Sequence, residues 1–404
     1  MAALYGRPLL IRTAGIYNNT GRKNMKLDFV IRNGRVVDPA RNIDQVMDIA
    51  IKDNHIVDMP AEYECDKVVD AEGCYVFPGL IDFHAHIYGN GSNCAVHADY
   101  LLATGVTSAV DPGTAGSSNF NSFYAGTVLG SKVRTKSYIC MYGSGQIDYN
   151  IIEKFDRSEY RPQDIRKMVE RYPDHILGLK IRMSKGVATG IDAMDATREL
   201  ADELGIGICV HTSNPVTPLK EVADRLKKGD IYCHCYHGWG DETILDDNGK
   251  VKDFILDARK RGVLMDAANG RMNFSIDVCR KSIEQGFLPD IIASDWTGDK
   301  YNMSNTAKNL TFVMTKYLEL GVPLMDVLRC VTQTPARVMN MEGRIGTLAP
   351  GAYADVAIFK MIDKKAIHRD CRNEAFETHK LFIPQMVFAD GEPAFCQADF
   401  ALMD

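Results

Sequence analysis

Short apolar segments alternate with amphipathic ones through most of this 404-residue chain, and this alternation restricts the possible folds more than any other feature. From Tyr75 onward, eight apolar segments of strand length are separated by stretches with helical periodicity. Helices fit these stretches, for example over residues 191–204, 251–261 and 275–285. The predicted strands are centred on Ile81, Ala109, Tyr138, Leu179, Cys209, Tyr232, Leu264 and Ile292.

Eight βα units over this length predict an α/β fold with a (β/α)8 TIM barrel over residues 77–344. In such a barrel the active site lies at the carboxyl ends of the strands. A doubly wound open sheet is the alternative fold. No Gly-x-Gly-x-x-Gly follows the first predicted strand, which favours the barrel.

The two ends of the chain have a different sequence pattern, with short β segments separated by turns over residues 25–76 and 345–404. Asn33-Gly34 and Asp53-Asn54 each separate two such segments, which predicts hairpins in a small antiparallel sheet. We expect both chain ends to build one small β-sandwich-like domain beside the barrel. Residues 1–24 show no clear period and are interpreted as an N-terminal arm.

Composition and charge narrow the class of partner. The net charge of −6 and the pI near 6.0 give no basic surface for nucleic acid or an anionic membrane. No apolar run reaches the roughly 18–20 residues that a membrane span needs. The 11 cysteines are scattered and odd in number, which favours free thiols in a reducing compartment. We therefore expect a cytoplasmic homo-oligomer that acts on a small molecule.

The first predicted barrel strand ends in a His-x-His pair, His84 and His86. Alternate residues of a strand share a face, so both imidazoles are expected to point the same way. Asp82 lies two residues earlier on that face, where it could orient a ligand. Two satisfied histidines at a strand end are the alternative interpretation, and other strands must supply further ligands if a metal is bound.

Four other predicted strands carry such residues at or near their ends. Strand four contains a lysine in apolar surroundings, strands five and six end in histidine, and strand eight ends in aspartate: Lys180, His211, His234 and Asp295. A salt-bridged lysine and a helix-capping aspartate are the structural alternatives at two of these positions. Three strands that end in histidine are hard to attribute to chance.

Four histidines, one lysine and one aspartate suit two divalent cations, most simply Zn²⁺, with iron or manganese possible on the same ligands. The Lys180 amine is expected to be desolvated and neutral. A neutral amine can react with CO2 to form a carbamate, which is an anionic ligand able to bridge two cations.

The segment from Pro78 to His86 resembles the opening motif of the amidohydrolase superfamily, and the segment from Gly346 to Asp355 resembles its closing motif. Residues 111–116, 178–184 and 210–215 resemble the dihydroorotase-like, metal-dependent deacetylase branch. The resemblance covers almost everything from Met25 onward. It implies a binuclear metal centre in a barrel.

The resemblance also implies a role for each ligand. His84, His86 and Asp295 would hold the more buried metal, His211 and His234 the more exposed one, and carbamylated Lys180 would bridge them. Two departures concern the substrate: His237 stands where the branch tends to carry Asn, and residues 267–270 replace a segment that often contains His.

Such a centre predicts hydrolysis of an amide or ester bond, with Asp295 as the catalytic group that transfers the proton. The first expectation is deacylation of a small N-acyl amino acid or O-acyl hydroxy acid. Opening of a cyclic ureide or imide is the alternative, and a metal-free scaffold is the alternative from another class. The residues expected to contact the substrate are Arg182, His237, Asn269 and Arg271.

Overall fold

The computed structural model describes residues 25–298 and 306–400, so the predicted arm at residues 1–24 lies outside the described residues. Nine short strands precede the barrel. They are β1 (Met25–Leu27), β2 (Phe29–Arg32), β3 (Arg35–Asp38), β4 (Ile43–Val46), β5 (Ile49–Lys52), β6 (His55–Val57), β7 (Tyr63–Cys65), β8 (Val68–Asp70) and β9 (Tyr75–Pro78).

Eight parallel strands follow and lie side by side in chain order, as expected for a (β/α)8 barrel. Every predicted strand centre lies within one of them. They are β10 (Leu80–Asp82), β11 (Val106–Asp111), β12 (Arg134–Cys140), β13 (Ile176–Arg182), β14 (Gly207–His211), β15 (Ile231–Cys233), β16 (Leu264–Ala268) and β17 (Ile291–Ala293).

Helices lie between the successive barrel strands, and most of them bury only part of their surface. In α3 the buried residues recur three or four positions apart, and the helix ends at Gly205, whose φ of 66° is left-handed. The predicted helix over residues 191–204 has these same bounds. The α-helices are α1 (Phe120–Phe123), α2 (Pro162–Arg171), α3 (Ile191–Leu204), α4 (Leu219–Asp224), α5 (Asp253–Lys260), α6 (Ile276–Glu284), α7 (Leu310–Glu319), α8 (Leu324–Val331) and α9 (Gln333–Val338). Shorter turns of 3₁₀ helix (Ala98–Thr104, Arg157–Glu159) and π helix (Tyr124–Val128) complete them.

The first and eighth barrel strands meet just beyond their carboxyl ends. Ala85 forms a parallel bridge with Trp296, and the Asp295 N–H donates to the His84 carbonyl at 2.7 Å. Asp82 accepts hydrogen bonds from the Ser294 N–H at 3.0 Å and from its hydroxyl. These contacts close the barrel and bring the two ends of its polypeptide together.

Both chain ends form the second domain. A six-stranded sheet places β3, β4 and β9 beside three C-terminal strands, β18 (Val356–Arg369), β19 (Ala375–Ala389) and β20 (Glu392–Cys396). A four-stranded sheet holds β6, β5, β2 and β8, and β1 pairs with β7. One apolar core joins residues from both chain ends, among them Phe29, Val36, Val356 and Phe388. The domain boundaries drawn from the sequence stay predictions.

One of the two predicted hairpins is wrong. β5 and β6 pair antiparallel around Asp53 and Asn54, whose φ angles of 48° and 60° suit a tight turn. At Asn33-Gly34, by contrast, β2 and β3 enter different sheets. A Cβ on Gly34 would lie 2.4 Å from the Val76 side chain. Glycine is therefore needed here because the backbone passes close to Val76 on its way from one sheet to the other.

Two further expectations concern exposure to membranes and thiol chemistry. Within the described residues, no helix is both long and apolar enough to cross a membrane. All 11 cysteines lie in the described ranges and carry free thiols, as the sequence predicted.

Candidate metal centre

The six predicted ligands meet at the carboxyl end of the barrel. His84 and His86 follow β10, Lys180 lies in β13, His211 ends β14, His234 follows β15 and Asp295 follows β17. All six side chains are buried. The backbone turns sharply at two of them, because His234 and Asp295 have φ angles of 62° and 49°. Non-glycine residues adopt this conformation at a cost, which the surrounding structure must offset.

The imidazoles and the carboxylate form one tight cluster. Oδ1 of Asp295 lies 3.6 Å from Nε2 of His84 and 3.4 Å from Nε2 of His86. The His234 ring lies 5.0 Å from the His84 ring and 4.3 Å from the His211 ring, centroid to centroid. Ligand atoms of His84, His234 and Asp295 all lie within 4.8 Å of one another, which is close enough for one cation to contact all three.

Three of the four imidazoles are oriented through Nδ1. His84 Nδ1 lies 2.8 Å from Oδ2 of Asp266, His86 Nδ1 lies 2.7 Å from the Thr114 hydroxyl, and His234 Nδ1 lies 2.9 Å from the Ala268 carbonyl. A carbonyl only accepts, so Nδ1 of His234 carries the proton and its Nε2 keeps its lone pair; Asp266 in its ionised form selects the same tautomer of His84. This is the arrangement of metal-binding histidines.

Two of the four imidazoles have an Nε2 atom without a partner within the described residues. Nε2 of His211 and Nε2 of His234 are buried and make no hydrogen bond. Burial also lowers the pKa of His84, His211 and His234 well below its ordinary value, so these rings are neutral. Neutral imidazoles with orphaned nitrogens beside an anionic carboxylate fit divalent metal ions.

Asp295 supplies the negative charge of the cluster. Burial alone would raise the pKa of its carboxyl, but the hydrogen bond from His86 and the nearby imidazoles of His84 and His234 lower the pKa below its ordinary value. Its other oxygen, Oδ2, accepts a hydrogen bond from Nδ2 of Asn273 at 2.8 Å. The two oxygens therefore face different partners.

Lys180 lies at the floor of the cluster, with Nζ 3.6 Å from Sγ of Cys209 and 3.9 Å from Sγ of Cys233. Burial favours the neutral amine. The nearby Cys209, Cys233, Asp295 and Asp266 act in the opposite direction and together raise the pKa of Lys180. The neutral amine expected from the sequence stays a prediction.

Sequence reasoning missed the residues that support the ligands. Asp266 lies within β16, in a segment that reads as a plain apolar strand, and it orients His84. Thr114 follows β11 and contacts His86. Asp82, which we expected to orient a ligand, instead accepts hydrogen bonds from the backbone N–H groups of His84 and Ser294 and from the Ser294 hydroxyl. Its carboxylate tethers the backbone of strands one and eight.

A cavity of about 360 Å³ opens above the cluster and is lined by five of the six predicted ligands, His234 being the exception. Apolar side chains that are exposed to solvent surround its mouth. They are Tyr149 (40% exposed), Ile151 (48%), Ile152 (59%) and Trp239 (41%). Exposed apolar groups around a polar floor are typical of a ligand-binding cavity.

The four predicted substrate contacts divide into two groups. Arg182 and Arg271 line the cavity, and Arg182 Nη1 donates to both oxygens of buried Glu153, at 3.0 and 2.9 Å. His237 and Asn269 are fully buried and do not line it. His237 contacts the Trp239 carbonyl through Nδ1. The structure therefore does not support substrate contact for His237 and Asn269.

Asn269 serves the scaffold instead. Its Nδ2 donates to the Ala267 carbonyl at 2.7 Å, and its Oδ1 accepts a hydrogen bond from buried Lys316 at 2.7 Å. The next residue, Gly270, has a φ of 51°, and a Cβ there would lie only 2.2 Å from Oδ2 of Asp295. The loop after β16 thus packs directly against the carboxylate of the cluster.

The chain is similar in sequence and in structure to known enzymes. Residues 75–394 match the amidohydrolase family. A deacetylase from Brucella anthropi is 29% identical over 332 residues, which are 80% of this chain and 81% of that protein. Among solved structures, an adenine deaminase superposes with a TM-score of 0.82 at 25% identity, covering 91% of this chain and 99% of the other. A dihydroorotase superposes with a TM-score of 0.79 at 26% identity, covering 91% and 98%.

Proposed function

The chain belongs to the amidohydrolase family, and we propose that it is a binuclear metal-dependent hydrolase that removes the acyl group from a small N-acyl amino acid or O-acyl hydroxy acid. The observation that carries this proposal is the cluster of four buried imidazoles, two with orphaned Nε2 atoms, around Asp295 and Lys180. The deacetylases at 27–29% identity support it.

Two Zn²⁺ ions are the simplest occupants. His84, His86 and Asp295 would hold one ion, and His211 and His234 the other, with a carbamate on Lys180 between them. Two cations beside Lys180 would disfavour its ammonium form and so favour the neutral amine that reacts with CO2. Such ions, when bound, make hydroxide available near neutral pH and polarise a carbonyl group.

Asp295 is the group that moves the proton. Its carboxylate is held at the centre of the cluster and is ionised, so it can accept a proton from the attacking water. It then delivers this proton to the leaving atom of the substrate as the bond to the carbonyl carbon breaks. No covalent intermediate with the protein is needed.

Arg182 is the residue we assign to the carboxylate of the substrate. Glu153 engages only Nη1 of Arg182, so within the described residues Nε and Nη2 remain able to donate. A guanidinium with two such N–H groups matches a carboxylate. The apolar mouth of the cavity suits an apolar side chain on the same substrate.

Cyclic ureides or imides are the second candidate substrates. The similarity to a solved dihydroorotase, at a TM-score of 0.79 and 26% identity, favours them. A metal-free scaffold is disfavoured because the barrel brings all the predicted ligand types together in one buried cluster.

Metal content per chain tests the proposal, measured by elemental analysis on protein purified without chelators and loaded with Zn²⁺ and bicarbonate. We expect about two ions in the wild type and a sharp fall in Lys180→Ala. Lys185→Ala is the matched control, because Lys185 also lines the cavity but pairs with exposed Asp241. N-acyl amino acids, O-acyl hydroxy acids, dihydroorotate, hydantoins and adenine are then assayed. Failure to bind metal, or no turnover of any acylated acid, would contradict the proposal.

A further inference from the structure

Trp239 is a large apolar residue that the structure holds at the mouth of the cavity. It lies in the loop after β15, lines the cavity and keeps 41% of its surface exposed. Contact between an indole and water is unfavourable, and a bound apolar group would remove that surface from water. Trp239 is therefore suited to contact an apolar part of the substrate.

The backbone of Trp239 is held by the barrel. Its carbonyl accepts a hydrogen bond from the Asn214 N–H at 3.1 Å and lies 3.1 Å from Nδ1 of His237. A carbonyl only accepts, so Nδ1 of His237 carries the proton. The next residue, Gly240, has a φ of 93°, and a Cβ there would lie 2.7 Å from Cα of Asn214. The buried imidazole of His237 thus acts on the cavity through Trp239.

The second domain holds the residue on the other side of Trp239. The turn between β18 and β19, residues 370–374, reaches the loops that follow β15 and β16. Arg372 donates from Nε and Nη2 to the Gly238 carbonyl, at 3.3 and 3.1 Å. The Cys371 N–H donates to the Phe274 carbonyl at 2.9 Å. The turn therefore fixes the residue that directly precedes the exposed indole.

Gly238 is also packed closely. A Cβ on Gly238 would lie 2.6 Å from Cβ of Ser275 and 3.2 Å from Sγ of Cys371, so the loop fits between the barrel and the turn of the second domain. The backbone is thus held on both sides of Trp239, while its indole stays exposed. A contact surface that is ordered before binding loses little entropy when the ligand arrives.

We propose that Trp239 determines the side-chain specificity of the enzyme by packing against a large apolar side chain of the acylated acid, and that Arg372 of the second domain positions Trp239 for this contact. This inference rests on the proposed acyl hydrolysis and names the class of acid within it. Arg182 and Trp239 line the same cavity, so one substrate can present its carboxylate to the first and its side chain to the second. Neither Trp239 nor Arg372 takes part in making or breaking a bond.

Two matched substrates test the role of Trp239 on the metal-loaded enzyme. They are N-acetylleucine and N-acetylalanine, or the O-acetyl hydroxy acids with the same side chains if esters are cleaved faster. In the wild type, we expect kcat/KM for the leucine substrate to be higher by about 10-fold or more. Trp239→Ala should bring this ratio close to that of equal substrates. Leu129→Ala, which removes an exposed side chain outside the cavity, should keep the ratio of the wild type.

Arg372→Met tests positioning from the second domain, because it keeps the length of the side chain and removes its donors. We expect the leucine-to-alanine ratio to fall about 3-fold, and Arg372→Lys, which retains a donor, to recover part of the preference. Arg369→Met is the matched control, because Arg369 lies in the same hairpin but donates to the Asn373 carbonyl. A role in stability alone would lower both rates together and leave the ratio unchanged.

Tryptophan fluorescence tests the contact without turnover. The chain has two tryptophans, Trp239 and Trp296, which are 41% and 3% exposed, so acrylamide quenches mainly Trp239. N-methylsulfonylleucine carries a sulfonyl group in place of the scissile carbonyl and is not cleaved. At saturating concentration on the metal-loaded enzyme, it should protect Trp239 from acrylamide more than N-methylsulfonylalanine does. This difference should be absent in Trp239→Phe.

Equal kcat/KM for the two substrates in the wild type, an unchanged ratio in Trp239→Ala, or equal protection by the two sulfonyl analogues overturns this inference alone. An unchanged ratio in Arg372→Met overturns the positioning role of Arg372. The fluorescence comparison in the wild type needs no variant and decides the question if Trp239→Ala does not fold. No turnover of any acylated acid by the metal-loaded wild type overturns the proposed function and this inference with it.

Discussion

Nδ1 of His84 lies 2.8 Å from Oδ2 of Asp266, and both side chains are buried, at 2% and 0% exposure. Burial raises the pKa of Asp266 to about 7 and lowers the pKa of His84 well below its ordinary value. The pair therefore fixes a neutral imidazole whose Nε2 faces Asp295. The orientation of His84, which follows the first barrel strand, depends on a carboxylate from the seventh strand.

Removing that carboxylate should weaken metal binding. Asp266→Asn keeps the shape but replaces the charged acceptor of the His84 Nδ1–H with a neutral amide oxygen, so we expect metal affinity to fall by about 10–100-fold. Competition with a chromogenic chelator measures this affinity. Asp277→Asn, which alters an exposed carboxylate paired with Lys281, is the control. Equal affinities in the two variants would contradict the role of Asp266.

A methyl group at Gly270 should displace the carboxylate of Asp295, the proposed proton-transfer group. Its Cβ would lie 2.2 Å from Oδ2 of Asp295, so we expect Gly270→Ala to lower kcat by about 100-fold. Gly286→Ala is the matched control, because Gly286 also has a positive φ, of 76°, but nothing lies within 4 Å of its Cβ. If both variants lose activity equally, strain in the backbone and not contact with Asp295 is the cause.

The Arg182–Glu153 pair should set the preference for a substrate carboxylate. The double variant Arg182→Gln, Glu153→Gln removes both charges and so leaves no buried charge without a partner. We expect KM for an acylated acid to rise by about 10-fold, while KM for its uncharged methyl ester changes little. Arg157→Gln with Glu199→Gln removes an exposed ion pair as the control. Parallel increases for acid and ester would argue against carboxylate binding.

Buried Lys316 should make stability depend on pH. Burial lowers the pKa of its amine to about 7, although Cys279 and Asp370 act in the opposite direction. In the unfolded chain this pKa is about 10.4. Between these values the unfolded chain binds a proton that the folded chain lacks, so the free energy of unfolding rises with pH by at most about 1.4 kcal/mol per unit.

Lys316→Met should remove this slope. The free energy of unfolding of the variant is expected to exceed that of the wild type most below pH 7, where the folded and the unfolded wild type both carry the proton. The difference should shrink toward pH 10. The loss of the bonds to Asn269 and Thr306 adds an offset that does not depend on this titration. Urea unfolding of both proteins from pH 6 to 9.5 measures the difference, and parallel curves would contradict the pKa of Lys316.

The sequence predicts the barrel and the positions of its polar strand ends well, because both depend on local periodicity. For example, His211 is the last residue of β14, so any parallel barrel that contains this strand has His211 at its carboxyl end. The interactions that refine the site are not local. Asp266 and His84 are 182 positions apart in sequence, and no pattern in either segment predicts their contact.

Two positions show why the local sequence does not determine the surroundings of a residue. Asn33-Gly34 has the residues of a hairpin turn, but packing against Val76 sends the chain into another sheet. Lys180 has the apolar neighbours of a neutral amine along the chain, but thiols and carboxylates from other strands surround it. In each case the contacting residues are distant in sequence, so the local pattern does not reveal them.

Closure of the barrel through Ala85 and Trp296 has a consequence for biosynthesis. His84 and His86 leave the ribosome early, whereas Asp295 emerges about two hundred residues later, after seven further strands. A nascent chain therefore lacks part of the buried cluster until its eighth strand has been translated and has docked beside the first. The cluster is thus complete only when the barrel is complete.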